Sequence, residues 1–186
     1  MIILFGAAGS GKSLQGQRLA DKYGWRWLSV GQLLRDCHDP ELEKVMLKGE
    51  LVNDDFVVKM MHEAIKTTSE NHQNAILDGY PRNEWQTKWL IEHGDIDKID
   101  GAIVIKVPDN ELWSRLVARG RADDTRESIG KRWRIFEQTI YSMSNLLKQE
   151  NVPIREVDGV GDVDEVTRRI EAVLQDWNVK MTVKGE

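Results

Sequence analysis

A doubly wound α/β fold, with a five-stranded parallel sheet and helices on both faces, is what this 186-residue sequence predicts. Three observations carry the prediction. Short apolar runs alternate along the chain with longer stretches whose apolar residues recur at helical spacing. Those longer stretches supply the crossover connections that parallel neighbours require. Helix-opening signals fall between the two kinds of segment: Asp39-Pro40-Glu41, Pro108-Asp109-Asn110-Glu111, and the capping-box spacings Asp124…Glu127 and Asp162…Glu165.

In order, "IILF" (2–5) opens as a strand and "KSLQGQRLADKY" follows as a helix. "WRWLS" (25–29) is a further strand, and "DDFVVKMMHEAIKTTS" is the next long helix. "AIL" (75–77) precedes the helix "EWQTKWLIEH", and "GAIVIKV" (101–107) precedes "NELWSRLVARG". A long helix is predicted from about Thr125 to Gln149, then the strand "VPIREV" (152–157) and a helix from about Asp164 to Trp177. The remaining "VKMTVKGE" is expected to be a short exposed end. No repeat or low-complexity segment interrupts this order.

The length allows one well-buried core and is short for two domains. A net charge of −5 argues against non-specific binding to nucleic acid or membrane, although a local arginine cluster can still hold a small anion. Cys37 is the only cysteine, so an internal disulfide and a multi-cysteine zinc site are excluded. The histidines at 38, 62, 72 and 93 fall in no ligand spacing, so no structural zinc is expected. No apolar run reaches transmembrane length, and the first strand starts at Ile2. The expectation is a cytoplasmic, reduced protein.

"GAAGSGKS", Gly6 to Ser13, fits G-x-x-x-x-G-K-[ST] between a predicted strand and a predicted helix. In that setting Gly6, Gly9 and Gly11 let successive backbone N–H groups turn toward phosphate oxygens. The helix starting at Lys12 adds its positive end, and Lys12 a point charge toward the β- and γ-phosphates. Ser13 would offer its hydroxyl to Mg²⁺. Ligands on such sheets bind beyond the carboxyl ends of the strands, so candidate residues are those that follow strands.

If a gripped phosphate is transferred to another phosphate, two polyanions must meet, and arginines should converge from separate segments. Arg35 follows the second strand in "SVGQLLRD", and Arg82 follows the third in "LDGYPRN". Arg115, Arg119 and Arg121 lie in "SRLVARGR" at the end of the helix after the fourth, and Arg132 in "ESIGKR" one helix later.

These segments resemble the adenylate kinases of the nucleoside monophosphate kinase family, in order from Ile2 to about Leu174. "LSVGQLLRD" resembles S-T-G-D-L-L-R, "KGELVND" resembles K-G-x-L-V-P-D, and "LDGYPRNEWQ" resembles D-G-F-P-R-x-x-x-Q. "GRADDTRESIGKR" resembles G-R-x-D-D-x-x-E-T-I-x-x-R, with the eleven-residue step from Arg121 to Arg132 intact. "VDGVGDVDEV" resembles the loop that backs the ATP base.

The resemblance implies the reaction ATP + AMP = 2 ADP with Mg²⁺, carried out by a monomer. It implies that Gly6, Gly9, Ser10, Gly11, Lys12, Ser13 and Leu14 hold the ATP phosphates, with Arg115 and Gly161 beside the base. Arg119 and Arg121 would close over the transferring group, oriented by Asp123 and Asp124. Arg35, Arg82 and Arg132 would hold the AMP phosphate. Val30, Glu50, Leu51, Val52, Gly79, Tyr80, Pro81 and Gln86 would complete the acceptor site, and Ser13 and Asp78 would serve Mg²⁺. Lys12, Arg82, Arg119, Arg121 and Arg132 form the implied catalytic set. The implied division is a core (1–29, 70–118, 133–178), an AMP-binding region (30–69), a short lid (119–132) and a tail (179–186).

Gln86 can offer a donor and an acceptor to the edge of adenine, as in adenine-taking relatives. Asn83 resembles the uridylate/cytidylate branch, and Asn83 with Gln86 also has capping-box spacing. UMP or CMP as acceptor, another small-molecule acceptor, and a homologue with reduced catalysis stay open as alternatives. A GTP-switch module is disfavoured because no N-K-x-D motif is present. Val30, Gln32 and Asn53 replace the family's threonine, aspartate and proline. Only Gly120 separates Arg119 from Arg121, which predicts a small, stiff lid. The seven tryptophans and the pair Met60-Met61 are expected to serve packing.

Overall fold

The computed structural model describes residues 1–186 apart from Leu51, Asp123 and Glu186. Five strands, β1 (Ile2–Phe5), β2 (Arg26–Ser29), β3 (Ala75–Asp78), β4 (Gly101–Lys106) and β5 (Ile154–Asp158), pair in the order β2-β3-β1-β4-β5. Every pairing is parallel, as the strand–helix alternation predicts. The helices are α1 (Lys12–Tyr23), α2 (Val30–Asp36), α3 (Pro40–Leu47), α4 (Asp54–Glu70), α5 (Glu84–Glu92), α6 (Asp109–Arg119), α7 (Arg126–Gln149) and α8 (Val163–Asp176). None is long and apolar enough to cross a membrane.

Successive side chains of a strand point to opposite faces, so each strand feeds two cores. Ile3, Phe5, Leu77 and Val104 pack with Val57, Met61 and Ile65 of α4, Leu90 of α5, and Met143 and Leu147 of α7. Their neighbours Ile2, Leu4, Ile76, Ile103 and Ile105 pack with Leu19 of α1 and with Val166, Ile170 and Leu174 of α8. The α8 stripe repeats every four residues, which is the apolar face of a surface helix. From β1 the chain crosses to β2 and β3 on one side and later to β4 on the other. That reversal opens a crevice at the carboxyl end of β1, where the glycine-rich stretch emerges.

Several local features differ from expectation. Helix α7 is capped by Thr125, whose hydroxyl accepts from Ser128 N at 3.2 Å, and not by Asp124. Asp124 is engaged by arginines instead, so its acidic charge is used where a hydroxyl would not serve. The Asp162/Glu165 capping box of α8 forms as its spacing predicts. Helix α2 is an addition: seven residues are too few for a periodic signal, and Ser29 caps it. Asn53, standing where the family has proline, caps α4 by accepting from Phe56 N at 3.2 Å. The tail is not a free end. Val179 and Met181 pack on the α1/α8 core, and Lys184 N donates to Lys22 O at 3.0 Å.

Asp95 is fully buried and joins His62 of α4 to Lys98, at 2.8 Å from each. This ties α4 to the turn that leads into β4. Trp177 lies flat against Gly101, where an added Cβ would come within 2.3 Å of the ring. Met61 is fully buried and Met60 packs beside it, as expected.

Candidate active site

Gly9 (φ 92°) and Gly11 (φ 87°) have left-handed backbone, and Ser10 N donates to Ala7 O at 3.1 Å to close the turn between β1 and α1. A Cβ on Gly9 would stand 2.7 Å from the Leu112 carbonyl, so α6 packs directly on this loop. Lys12 opens α1 and is half-buried. Burial pushes its pKa down to about 8; Asp78 opposes the fall, while Arg82, Arg119 and Arg132 add to it. A half-buried cation surrounded by further cations is costly unless an anion arrives, which marks a polyanion site.

The cavity at this edge is lined by Gly6, Lys12 and Ser13 from the loop and α1, and by Asp78, Gly79, Pro81 and Arg82 after β3. Arg35 reaches it from α2, Glu50 from the segment after α3, Arg119 and Arg121 from the end of α6, and Arg132 from α7. Five guanidinium groups and one ammonium therefore face two carboxylates, Asp78 and Glu50. Four of these arginines, Arg35, Arg82, Arg119 and Arg132, are aimed by a short-range partner. Arg82 Nε donates to Gly79 O at 2.8 Å, and Arg35 Nη2 donates to Gln32 Oε1 at 3.1 Å. Gln32, in place of an aspartate, thus still orients Arg35 but adds no negative charge. Arg119 grips Asp124 with two bonds of 2.7 and 2.6 Å, and Arg132 Nη2 reaches the same carboxylate at 2.9 Å. Burial pushes the Asp124 pKa up, but the bonds from Arg119 and Arg132 outweigh it and hold the group below its ordinary value.

The α7 wall closely approaches the segment after α3. Gly49 has φ 68°, and a Cβ there would lie 2.6 Å from Ser128 O. Only glycine allows both the turn and the approach.

Some residues named from the sequence stand elsewhere. The side chains of Val30, Val52 and Tyr80 are in the core beneath the cavity, 1%, 8% and 0% exposed, because apolar burial outweighs a place on a charged wall. Leu51 and Asp123 lie outside the described residues. Gln86 is 1% exposed and does not line the cavity. Its oxygen accepts from Arg82 N at 2.7 Å, and its amide nitrogen donates to Asp54 at 2.7 Å. The capping box with Asn83 is half made: Asn83 accepts from Gln86 N, but Gln86 turns to Arg82. Arg115 does not line the cavity; it donates to Gly159 O at 3.0 Å and pairs with Glu111. Leu14 and Val160 are exposed, and Gly161 (φ 120°) lies in the turn that precedes α8. Ser10 is buried within the loop.

Asp78 Oδ2 is buried and has no hydrogen-bond partner among the described residues. With the Ser13 hydroxyl on the same cavity wall, it offers the hard oxygen donors that suit Mg²⁺. No group of three His, Cys, Asp or Glu among the described residues holds a metal unaided, so phosphate and water would complete any coordination. The residues fit the ion.

Two contributions escaped the sequence reading. Asp54 accepts from Asn83 and Gln86, fastening the segment after β3 to α4. Phe136, Thr139 and Met143 continue the cavity wall from Arg132 along α7. Their three- and four-residue steps from Arg132 were the available signal.

A parallel α/β sheet whose central strand feeds a glycine-rich loop, a half-buried lysine and converging arginines defines the class of P-loop phosphotransferases. Residues 4–152 match the family described as Adenylate kinase. The chain is 35% identical over 181 residues to an adenylate kinase of Synechococcus sp. (strain WH7803), covering 93% of this chain and 97% of the relative. It is 34% identical to one of Maricaulis maris (94% and 98% covered) and 31% identical to one of Thermus thermophilus (93% and 96% covered). The chain belongs to the adenylate kinase family.

Proposed function

We propose that the chain transfers the γ-phosphoryl group of ATP to AMP, giving two ADP. The observation that carries this reading is the convergence of Lys12, Arg35, Arg82, Arg119, Arg121 and Arg132 on one cavity at the end of β1. One phosphate chain does not need cations from so many segments; two meeting end to end do. Lys12 and the loop amides take the donor phosphates, with Arg115 and Gly161 beside the donor base. Arg35, Arg82 and Arg132 take the acceptor phosphate, and Arg119 and Arg121 cover the transferring group. Mg²⁺, when bound, neutralises phosphate charge, and Ser13 and Asp78 are the residues that would hold it. No general base is required, because the acceptor phosphate is already ionised. Residues 30–69 serve as acceptor-binding region and 119–132 as a small lid on a core of 1–29, 70–118 and 133–178. The site is complete within one chain, which supports a working monomer.

A coupled assay of ATP with AMP, CMP, UMP, GMP and dAMP tests the reading. AMP is expected to be turned over fastest, and no turnover with any of the five would end it. The burial of Gln86 favours a second, broader reading. Its amide is taken up by Asp54 and Arg82 N–H and does not line the cavity, so it would select adenine weakly. Comparable rates with CMP or UMP would favour that version.

Asp124→Ala is expected to lower kcat by about 10- to 100-fold, because Arg119 and Arg132 lose the carboxylate that aims them. The Asp124 side chain is 2% exposed, so the loss of two ion pairs also lowers the unfolding temperature. Asp124→Asn retains an acceptor oxygen and should lose less. Steady-state kinetics of both variants, with thermal unfolding alongside, checks this; an alanine variant with normal kcat would overturn it.

A further inference from the structure

Trp133 follows Arg132 on α7, and its indole Nε1 donates to the carbonyl of Ala8 at 3.0 Å. Ala8 belongs to the glycine-rich loop and lines the cavity, whereas Trp133 does not line it. The Ala8–Gly9 peptide is trans, since the cis bond among the described residues is Tyr80–Pro81. In a trans peptide the C=O and the following N–H point in opposite directions. A carbonyl held by the indole therefore leaves the Gly9 N–H pointing away from Trp133, while Gly9, like Trp133, is not among the residues that line the cavity. Gly9 N has no partner within the chain among the described residues, and its φ of 92° gives this peptide a freedom that other residues would deny it.

The orientation matters because the two faces of a peptide have opposite polarity. An N–H toward the cavity attracts a phosphate oxygen; a carbonyl there repels it. At a glycine the peptide plane can turn over at little steric cost, so the loop needs something to hold it. We propose that Trp133 is a positioning residue for the phosphate loop: its indole N–H pins the Ala8 carbonyl outward, presents Gly9 N–H to the donor phosphates, and fastens the loop to the helix that carries Arg132. The inference rests on the reading of this loop as the donor-phosphate site.

Trp133→Phe keeps an aromatic ring and removes the N–H. Calorimetric titration with Mg²⁺ and ATP, without acceptor, is expected to show about tenfold weaker ATP binding in the variant, the cost of one charge-assisted contact. The KM for ATP should rise with kcat within about twofold, while the KM for AMP and the unfolding temperature stay nearly unchanged. In the unaltered protein, the Trp133 indole proton should exchange slowly with solvent and more slowly still with ATP bound. Equal ATP affinity in the variant, a parallel loss of ATP and AMP affinity with lowered thermal stability, or rapid indole exchange would each overturn the proposal. If the unaltered chain binds no ATP, the donor-site reading fails first, and this inference fails with it.

Discussion

Arg82→Ala is expected to lower kcat with ATP and AMP by about 10³-fold while leaving ATP affinity within about threefold of the original. Arg82 follows β3 at the floor of the cavity, with Nε bonded to Gly79 O and its backbone N–H held by Gln86. Burial lowers its pKa; Asp78 resists the fall, and Arg132 and Arg35 deepen it. The group is half-buried among like charges, an arrangement that weakens the empty protein and strengthens the filled one. An interaction of that kind is made most fully when negative charge is spread over a transferring phosphoryl group. The loss should therefore appear in kcat, with ATP affinity at the proposed donor site little affected. Folding stability is expected to hold or rise slightly, since one of several crowded cations is removed. Steady-state kinetics and ATP calorimetry on the same variant separate the two effects. Normal turnover would remove Arg82 from the proposed acceptor-phosphate site.

Lys12→Met is expected to reduce kcat/KM by about 10³-fold or more, and its second signature is a change in pH dependence. The Lys12 pKa is about 8 in the folded chain against 10.5 when unfolded, chiefly through burial. Between those values the unfolded chain binds more protons, so stability rises with pH across that window. Below about pH 8 the folded state carries the whole penalty, on the order of 3 kcal/mol. The methionine variant should lack that rise, so its stability advantage over the original chain shrinks from pH 8 toward pH 10.5. Phosphates drawn to Lys12 reverse the shift, and ATP binding near pH 8.5 should take up protons. Titrations in buffers of different ionisation enthalpy measure that uptake directly. Proton uptake that persists in the methionine variant would show that another group is responsible.

The reading of the fold depended on few features, and those features are local. Four fully apolar residues at β1, the glycine pattern behind them and the capping box of α8 each act within a short stretch of chain. Each therefore survives in a one-dimensional record. The same holds for Arg35 and Arg82, because segments that follow parallel strands arrive at one edge. Helix α2 was not legible for the opposite reason: seven residues complete too few turns to show a period.

Other questions were settled only by packing. Sequence spacing put Asp124 at the cap of α7; the threonine takes that place while two arginines hold the carboxylate. Gln86 has the right chemistry for a base edge, yet Asp54, 32 residues earlier in the chain, claims its amide. Trp133 is one more aromatic in a tryptophan-rich chain until the loop 125 residues before it brings a carbonyl to its indole nitrogen. Local signals come from backbone geometry and side-chain period, which neighbours along the chain decide. Which polar group satisfies which is decided by the closest competitor in space, and that competitor is known only once the chain has folded.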